Sequence, residues 1–244
     1  MCTVSWLRTV DGYELFCNRD ERRGRKRADA PSLGTARGVR FIAPRDGEAG
    51  GTWVAVNEYG LTLCLLNRYD GVEAAPARAY ESRGLLLPRL MWHGDADGVV
   101  RAVRRADLSR FRPFTLLALA PEGEPAVLGW TGGALLVAQE ESDSLSPLTS
   151  SSFASAEVVR ARRELFLSMT RGSAKSAALH QSFHRSHTHG PGPLSVCMHR
   201  EDAATVSFSR VKVDAHAVVF NYQPGSPCAG VEKFRPYTLR RGAL

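Results

Sequence analysis

The sequence predicts an α+β layered domain, and three observations carry that reading. Strand-like runs and helix-like runs are segregated along the 244 residues in the order strands, helices, strands, helices, strands. Such segregation belongs to an α+β layered fold and not to a doubly wound parallel sheet. The run LTLCLL at 61–66 is apolar on both of its faces, so it is expected as an inner strand covered on two sides. The chain, 43% hydrophobic and 23% charged, can bury a full core without staples, and it is expected to form a single domain over 1–244.

The first 21 residues predict a β-hairpin, with TVSWLRTV and YELFCNRD flanking the turn signal Asp11-Gly12. A turn centred there pairs Val10 with Tyr13, Trp6 with Cys17, Val4 with Arg19 and Cys2 with Glu21. Arg19 is then diagonal to Cys2, roughly 7–8 Å away. One face carries Cys2, Val4, Trp6, Val10, Tyr13, Leu15 and Cys17, with Arg8 as its misfit. The other carries Thr3, Ser5, Leu7, Thr9, Glu14, Phe16, Asn18 and Asp20. Residues 22–38 are expected as a basic irregular loop; its RRGRKR run lacks interleaved aromatics, and no nucleic-acid role is expected.

TWVAVN and LTLCLLNRY predict two more strands joined at Glu58-Tyr59-Gly60. Asp95 is placed to cap a helix whose Ala96, Val99, Val100 and Val103 share one face. FTLLALA, PAVLGW and GALLVAQ predict strands, the last two joined by Gly132-Gly133. Residues 139–152 read as a serine-rich surface loop. A helix from Ser155 would bury Val158, Val159, Phe166 and Met169 and end at Gly172. A second helix over roughly 174–186 follows, and SVCMHR, ATVSFSRVKV and AHAVVFNYQP predict closing strands.

The five cysteines, Cys2, Cys17, Cys64, Cys197 and Cys228, are widely spaced and form no CxxC, which argues against a disulfide framework and against a thiolate zinc site. Cys17, Cys64 and Cys197 suit buried positions. No apolar run is long enough to span a bilayer and the first residues lack a secretory pattern, so a cytoplasmic protein is expected. The net charge of +7 rests on 28 arginines and four lysines. That excess suits a small anionic ligand, and equally a general arginine preference of the source.

Cys2 is the sharpest chemical feature. A small second residue normally permits removal of Met1, leaving a thiol beside a free α-amine with a pKa of about 8. That amine can serve as general base for its own side chain. Arg19 beside the thiol would lower its pKa, and Glu21 or Asp20 would orient the amine. A histidine group, His180, His184, His187, His189 and His199, offers a second possibility. His180 and His184 share a helix face, and with His187 they form an alternative zinc or haem-iron set. The primary expectation is no metal and no cofactor, with haem as the alternative.

MCTVSW and FCNRDE, followed by GGTWVAVNEYGLTLCLLNRY, resemble the NRDE family, also called the transport-and-Golgi-organisation-two family. Its tetrapeptide is present as Asn18-Arg19-Asp20-Glu21, and LTSSSF and CMHREDAATVS look like further family blocks. The family is similar in turn to N-terminal-nucleophile (Ntn) hydrolases of the choloylglycine hydrolase and penicillin acylase branch. That resemblance implies a four-layer αββα sandwich. It implies Cys2 as nucleophile, Arg19 as the site arginine and Asn67 as an oxyanion donor, with Asp20 and Glu21 beside them. Asn18, Ser150 and Arg200, from the three family blocks, are assigned to the substrate side. Two departures stand out: Asp20 directly follows Arg19 where the hydrolases have Arg-x-x-Asp, and Ser150 follows Leu148-Thr149 where they carry asparagine. Two functions therefore remain open. One is a cysteine amidohydrolase or acyltransferase on a small acyl compound. The other is a carrier on the same scaffold for haem, an acyl-coenzyme or a lipid.

Overall fold

The structure is a computed structural model that describes residues 2–70, 80–139, 146–230 and 235–242. Thirteen strands are described: β1 (Cys2–Thr9), β2 (Gly12–Arg22), β3 (Asp29–Ala36), β4 (Val39–Arg45), β5 (Val54–Asn57), β6 (Thr62–Asn67), β7 (Phe114–Leu119), β8 (Ala126–Trp130), β9 (Leu135–Gln139), β10 (Leu148–Ser150), β11 (Ala203–Val213), β12 (Ala217–Pro224) and β13 (Arg235–Arg240). The helices are α1 (Leu86–Leu90), α2 (Ala96–Arg105), α3 (Ser155–Thr170) and α4 (Ala177–Arg185). The strands form two sheets, one ordered β10-β1-β2-β11-β12-β13 and the other β3-β4-β5-β6-β7-β8-β9.

The sheets face one another. Val4, Trp6, Leu15, Cys17, Val211 and Phe220 of the first interlock with Ile42, Val54, Val56, Cys64, Leu66 and Leu117 of the second. The outer face of the second sheet is closed by α1 and α2, whose Leu87, Leu90, Val99 and Val103 pack on Leu63, Leu65 and Leu116. The outer face of the first is closed by α3 and α4, where Phe166 and Phe183 meet Val196, and His180 of α4 stacks on Phe16 of β2. This is the expected four-layer αββα sandwich. Strand β6 runs between β5 and β7 with Leu63 and Leu65 toward the helices and Cys64 and Leu66 toward the other sheet, as its two-sided apolarity requires. Asp95 caps α2 by accepting from Gly98 N–H, and Ala96, Val99, Val100 and Val103 are its buried stripe.

The hairpin register differs from the expected one. Thr9 pairs with Gly12, Val4 with Cys17 and Cys2 with Arg19. The loop is therefore Val10-Asp11, and Val10 is fully exposed instead of facing the core. Gly12 is needed inside the strand because a Cβ there would collide with the Val213 carbonyl of β11. The partners move by two residues, so both faces are kept.

Other expectations fail at sheet edges and on helix flanks. Residues 29–36, expected within a loop, form β3, and 148–150, also expected within a loop, form β10. Both are edge strands, and β3 is mostly exposed, so it shows no apolar alternation and tolerates Pro31. Residues 140–145 of the expected serine-rich loop lie outside the described residues, and Gln139 ends β9. SVCMHR forms no strand; its Val196 turns into the helical layer instead. Strand β13 carries no signal that stood out. On α3, Val158 and Phe166 are buried as expected, but Val159 is 36% exposed and the buried stripe includes Arg162 at 1%. The reason is on the sheet beneath, where Arg162 Nη1 donates to Thr3 Oγ1 at 2.6 Å and meets Asp20 at 3.3 Å. Among the described residues, no helix is long and apolar enough to cross a membrane.

Candidate active site

Strands β1 and β2 carry the site because their inner-face residues run out of apolar character together at the end of the ladder. Beyond Val4 and Cys17 the pair becomes Cys2 opposite Arg19. Cys2 is buried, at 4% exposure. It forms the floor of a cavity of about 310 Å³ lined by Arg19, Glu21, Arg25, Asn67, Tyr69 and Arg83, among others. The nucleophile candidate, the arginine, Glu21 and Asn67 are therefore brought to one place. Met1, whose removal is expected, lies outside the described residues.

The main-chain nitrogen of Cys2 donates to Ser150 Oγ on the neighbouring edge strand at 3.1 Å. Ser150 thus holds the Cys2 nitrogen and is not among the lining residues of the cavity. Asn67 ends β6, where the ladder with β7 stops at Phe114, and its Nδ2 donates to Tyr69 Oη at 3.0 Å. One amide hydrogen remains for a further acceptor.

Arg19 does not lower the thiol pKa as expected. Its guanidinium donates to Asp46 at 2.5 Å, lies 3.5 Å from Glu21, and stacks 4.4 Å from the Trp53 ring centroid. The Cys2 thiol is instead held well above the usual thiol range, first by its hydrogen bond with Cys17 and then by burial. Cys17 is itself 3.7 Å from Cys64, so three thiols run inward from the cavity floor. All five cysteines are free, and Cys17, Cys64 and Cys197 are buried as expected.

Asp46 is a site residue that the sequence did not signal. Its carboxylate accepts from Arg19, from Arg25 Nε and Nη2 at 2.9 and 2.7 Å, and from Ala49 N–H at 2.8 Å. Burial alone would raise its pKa; the Arg25 hydrogen bond, the Ala49 N–H and the two guanidinium charges override burial and hold it at about 2. Arg25, Tyr69 and Arg83 were missed as well. Burial lowers the Arg83 pKa, and Nη1 donates to the Pro113 carbonyl at 2.9 Å. Four guanidinia line the cavity (Arg19, Arg22, Arg25 and Arg83) against the two carboxylates Glu21 and Asp46, which leaves an excess of positive charge. The GGTW stretch was the available clue. Gly51 and Gly84 cross so closely that a Cβ on Gly51 would lie 2.5 Å from Gly84 C, and Thr52 N–H donates to Gly84 O at 3.0 Å. That crossing joins the two loops that wall the cavity.

Three expected residues lie elsewhere. Asn18 is on the outer face of the sheet, where Nδ2 donates to the His184 and Val196 carbonyls at 2.9 Å each. Asp20 also points outward, accepting from Thr205 Oγ1 at 2.7 Å and pairing with Arg162. Strand alternation requires this, because Asp20 is adjacent to Arg19 and β2 has no bulge there; the ladder irregularity is in β11, between Thr205 and Ser207. Arg200 bonds Asp202 at 2.7 Å and lies over Phe153, away from the lining residues.

The alternative metal set also separates. Ser5 Oγ sits 2.7 Å from His180 Nδ1 and 3.0 Å from His184 Nε2, with both rings buried over Phe16. His184 has a pKa well below the usual value because of burial, His180 and Arg162. His187 leaves this pair and packs against His199, with ring centroids 5.0 Å apart.

Comparison with solved structures places the fold. The chain is similar to a Caenorhabditis elegans N-acylethanolamine-hydrolyzing acid amidase ortholog, with TM-score 0.62 and 12% identity over 86% of this chain and 92% of that one. It is similar to a mutant of the conjugated bile acid hydrolase from Clostridium perfringens, with TM-score 0.56 and 13% identity over 98% and 92%. Penicillin V acylase from Agrobacterium tumefaciens gives TM-score 0.55 and 10% identity over 92% and 83%. The scaffold is thus that of the Ntn hydrolases. No curated relative matches the sequence. The family model described as Transport and Golgi organisation 2 matches residues 1–182, three quarters of the chain, and the protein belongs to that family.

Proposed function

We propose that this protein is a cysteine amidohydrolase or acyltransferase of the N-terminal-nucleophile type, acting on a small anionic acyl compound as one domain over 1–244. One observation carries the reading: Cys2 forms the floor of a basic cavity, opposite Arg19 and on the same lining as Asn67, with its main-chain nitrogen held by Ser150. The names of the similar structures, an acid amidase, a bile acid hydrolase and an acylase, fit C–N bond chemistry.

In this mechanism Met1 is removed and the α-amine of Cys2 takes the thiol proton as Sγ attacks the acyl carbon. The resting thiol is protonated, so the base is required and the amine is the nearest one. Asn67 Nδ2 donates to the oxyanion; such a donor is worth on the order of 10²–10³ in rate. Arg25 and Arg83 hold the anionic group of the substrate. The C–N bond breaks, the leaving amine takes the proton back from the α-ammonium, and a thioester remains on Cys2. Water, or an acceptor amine, then attacks with the same α-amine as base and regenerates the thiol.

The test is single-turnover cleavage of a set of chromogenic anilides with anionic acyl groups, on protein whose N-terminus is shown by intact mass to be Cys2. A burst of one product per chain, absent in Cys2→Ala, supports the reading. Equal turnover in Cys2→Ala refutes it. A second reading, a carrier on the same scaffold, is favoured by the four cavity guanidinia and the protonated thiol. Binding of an acyl-coenzyme or haem through its acidic groups, unchanged in Cys2→Ala and with no burst, would select the carrier.

A further inference from the structure

We propose that His187, Cys197, His199 and Cys228 form a binding site for a single zinc ion, separate from the Cys2 cavity. One ligand atom from each of the four residues lies within 4.8 Å of all the others. His199 Nε2 is 3.5 Å from Cys197 Sγ and 3.2 Å from Cys228 Sγ. A tetrahedral zinc with its usual bonds to sulfur and nitrogen has N···S edges of about 3.5 Å. The His187 and His199 rings meet edge-on at 75°, as two imidazoles at neighbouring corners do. The donor set is two thiols and two imidazoles, the pattern that selects zinc over magnesium, calcium or manganese.

The four residues come from three segments with little regular structure. His187 follows α4, Cys197 and His199 precede β11, and Cys228 sits in the turn Pro227–Ala229 after β12. Main-chain bonds draw the first two together: Cys197 N–H donates to Ser186 O at 3.2 Å and His199 N–H to Pro191 O at 3.1 Å. The third is held by Ser226 Oγ, which donates to Thr205 O at 2.7 Å, and by Gln223 Nε2, which donates to Ser226 O and Gly230 O. Cys197 is buried, whereas His187 and Cys228 are exposed, so an apolar core does not close this corner. An ion would link all three segments.

Four protein ligands leave no open position, which makes the site structural and not catalytic. Binding is balanced as Zn²⁺ plus two thiols and two neutral imidazoles giving a neutral four-coordinate centre and two released protons. His199 also lines a second cavity, with Arg19, Glu21 and Arg25, so the ion would hold one wall beside the basic residues of the Cys2 site. The linear sequence hides the set, because the two thiols are far apart and only Cys197 and His199 are near neighbours.

The test is metal analysis of the full chain purified with reductant and without chelator, followed by cobalt(II) replacement. The expected result is one zinc per chain and, with cobalt, the visible ligand-field bands and thiolate charge-transfer band of a tetrahedral centre. Cys228→Ser and, separately, His187→Gln should weaken cobalt binding by more than about a hundredfold, beyond what loss of an outer-shell partner does. Cys2→Ser and His189→Gln should leave it unchanged, which separates this site from the Cys2 chemistry. Circular dichroism of the two exposed-ligand variants shows that they are folded. No stoichiometric metal with the thiols reduced, a spectrum unaffected by either ligand change, or a Cys197–Cys228 disulfide whose reduction brings no metal uptake would overturn the proposal.

Discussion

Arg19 lies directly across the ladder from Cys2, yet its guanidinium is committed to Asp46 at 2.5 Å. The cation opposite the thiol across the ladder is thus neutralised by a carboxylate from another loop, and the thiol stays protonated. Arg25 shares the same carboxylate, so one acid organises two of the four cavity guanidinia. Asp46 is the pivot of the site even though it is not opposite Cys2.

Asp46→Asn is therefore expected to destabilise the protein. Removing one partner of a paired, mostly buried group leaves the other charges uncompensated. The pH dependence follows from the shift: the folded carboxyl titrates at about 2 and the unfolded one at about 3.9. Between those values the unfolded chain holds more protons, so the contribution is present above about pH 4 and is lost as pH falls toward 2. After allowance for solvent screening, about 1–2 kcal/mol is at stake. Urea unfolding from pH 6 down to pH 2 should show this loss in the wild type and a flatter profile in Asp46→Asn.

Ser150→Ala removes the acceptor from the Cys2 nitrogen. One hydrogen bond of this kind is worth about 0.5–1.5 kcal/mol. The oxygen favours the N–H-rich ammonium, so its loss lowers the amine pKa and moves the alkaline rise of the acylation rate to lower pH. The expected result is a drop of roughly threefold to tenfold in maximal rate, with that shift in the pH profile. Ser150→Thr, which keeps the hydroxyl, should restore the profile. An unshifted profile in Ser150→Ala would remove Ser150 from the site.

Asp20 was expected beside the amine and instead pairs with Arg162 beneath α3, both side chains 1% exposed. Arg162→Met takes the guanidinium away from a buried carboxylate that keeps its Thr205 hydrogen bond, and should cost about 3–5 kcal/mol. The double replacement Asp20→Asn with Arg162→Met should recover most of it, because the uncompensated charge is gone. Per folded molecule, Asp20→Asn should keep its turnover. A loss of turnover in Asp20→Asn at unchanged stability would return Asp20 to the chemistry.

The layers were legible in the sequence because their signals are local and periodic. The LTLCLL run declared a strand covered on both faces, and Asp95 with Ala96, Val99, Val100 and Val103 declared a capped amphipathic helix. Edge strands β3 and β10 were not legible, since an edge in solvent has no need of apolar alternation. Arg162 was hidden because nothing local to α3 shows that Asp20 and Thr3 wait beneath it. In the site, Cys2, Arg19 and Glu21 were legible from the end of the first hairpin, and Asn67 through the family resemblance. Asp46, Arg25 and Arg83 come from loops that meet only after the sheets stack, so their roles depend on contacts far apart in sequence.

The protonation state of Cys2 gives the last prediction. Its hydrogen bond with Cys17 and its burial both favour the neutral thiol, so the thiolate fraction near neutrality is below that of an ordinary cysteine. Alkylation of Cys2 by iodoacetamide, mapped by peptide mass, should be slower in the folded protein than at the same residue in urea. The rate should climb by about tenfold per pH unit with no plateau at or below pH 9. Cys17→Ala removes the leading cause of the raised pKa and should speed the reaction several-fold at pH 8. Acylation by substrate should behave differently, because the α-amine, with a pKa of about 8, takes the proton within the reaction itself. Its rate should level off once the amine is neutral, well before the thiol ionises. A thiol that already alkylates at a plateau rate at pH 7 would mean that Cys2 rests as a thiolate and needs no such base.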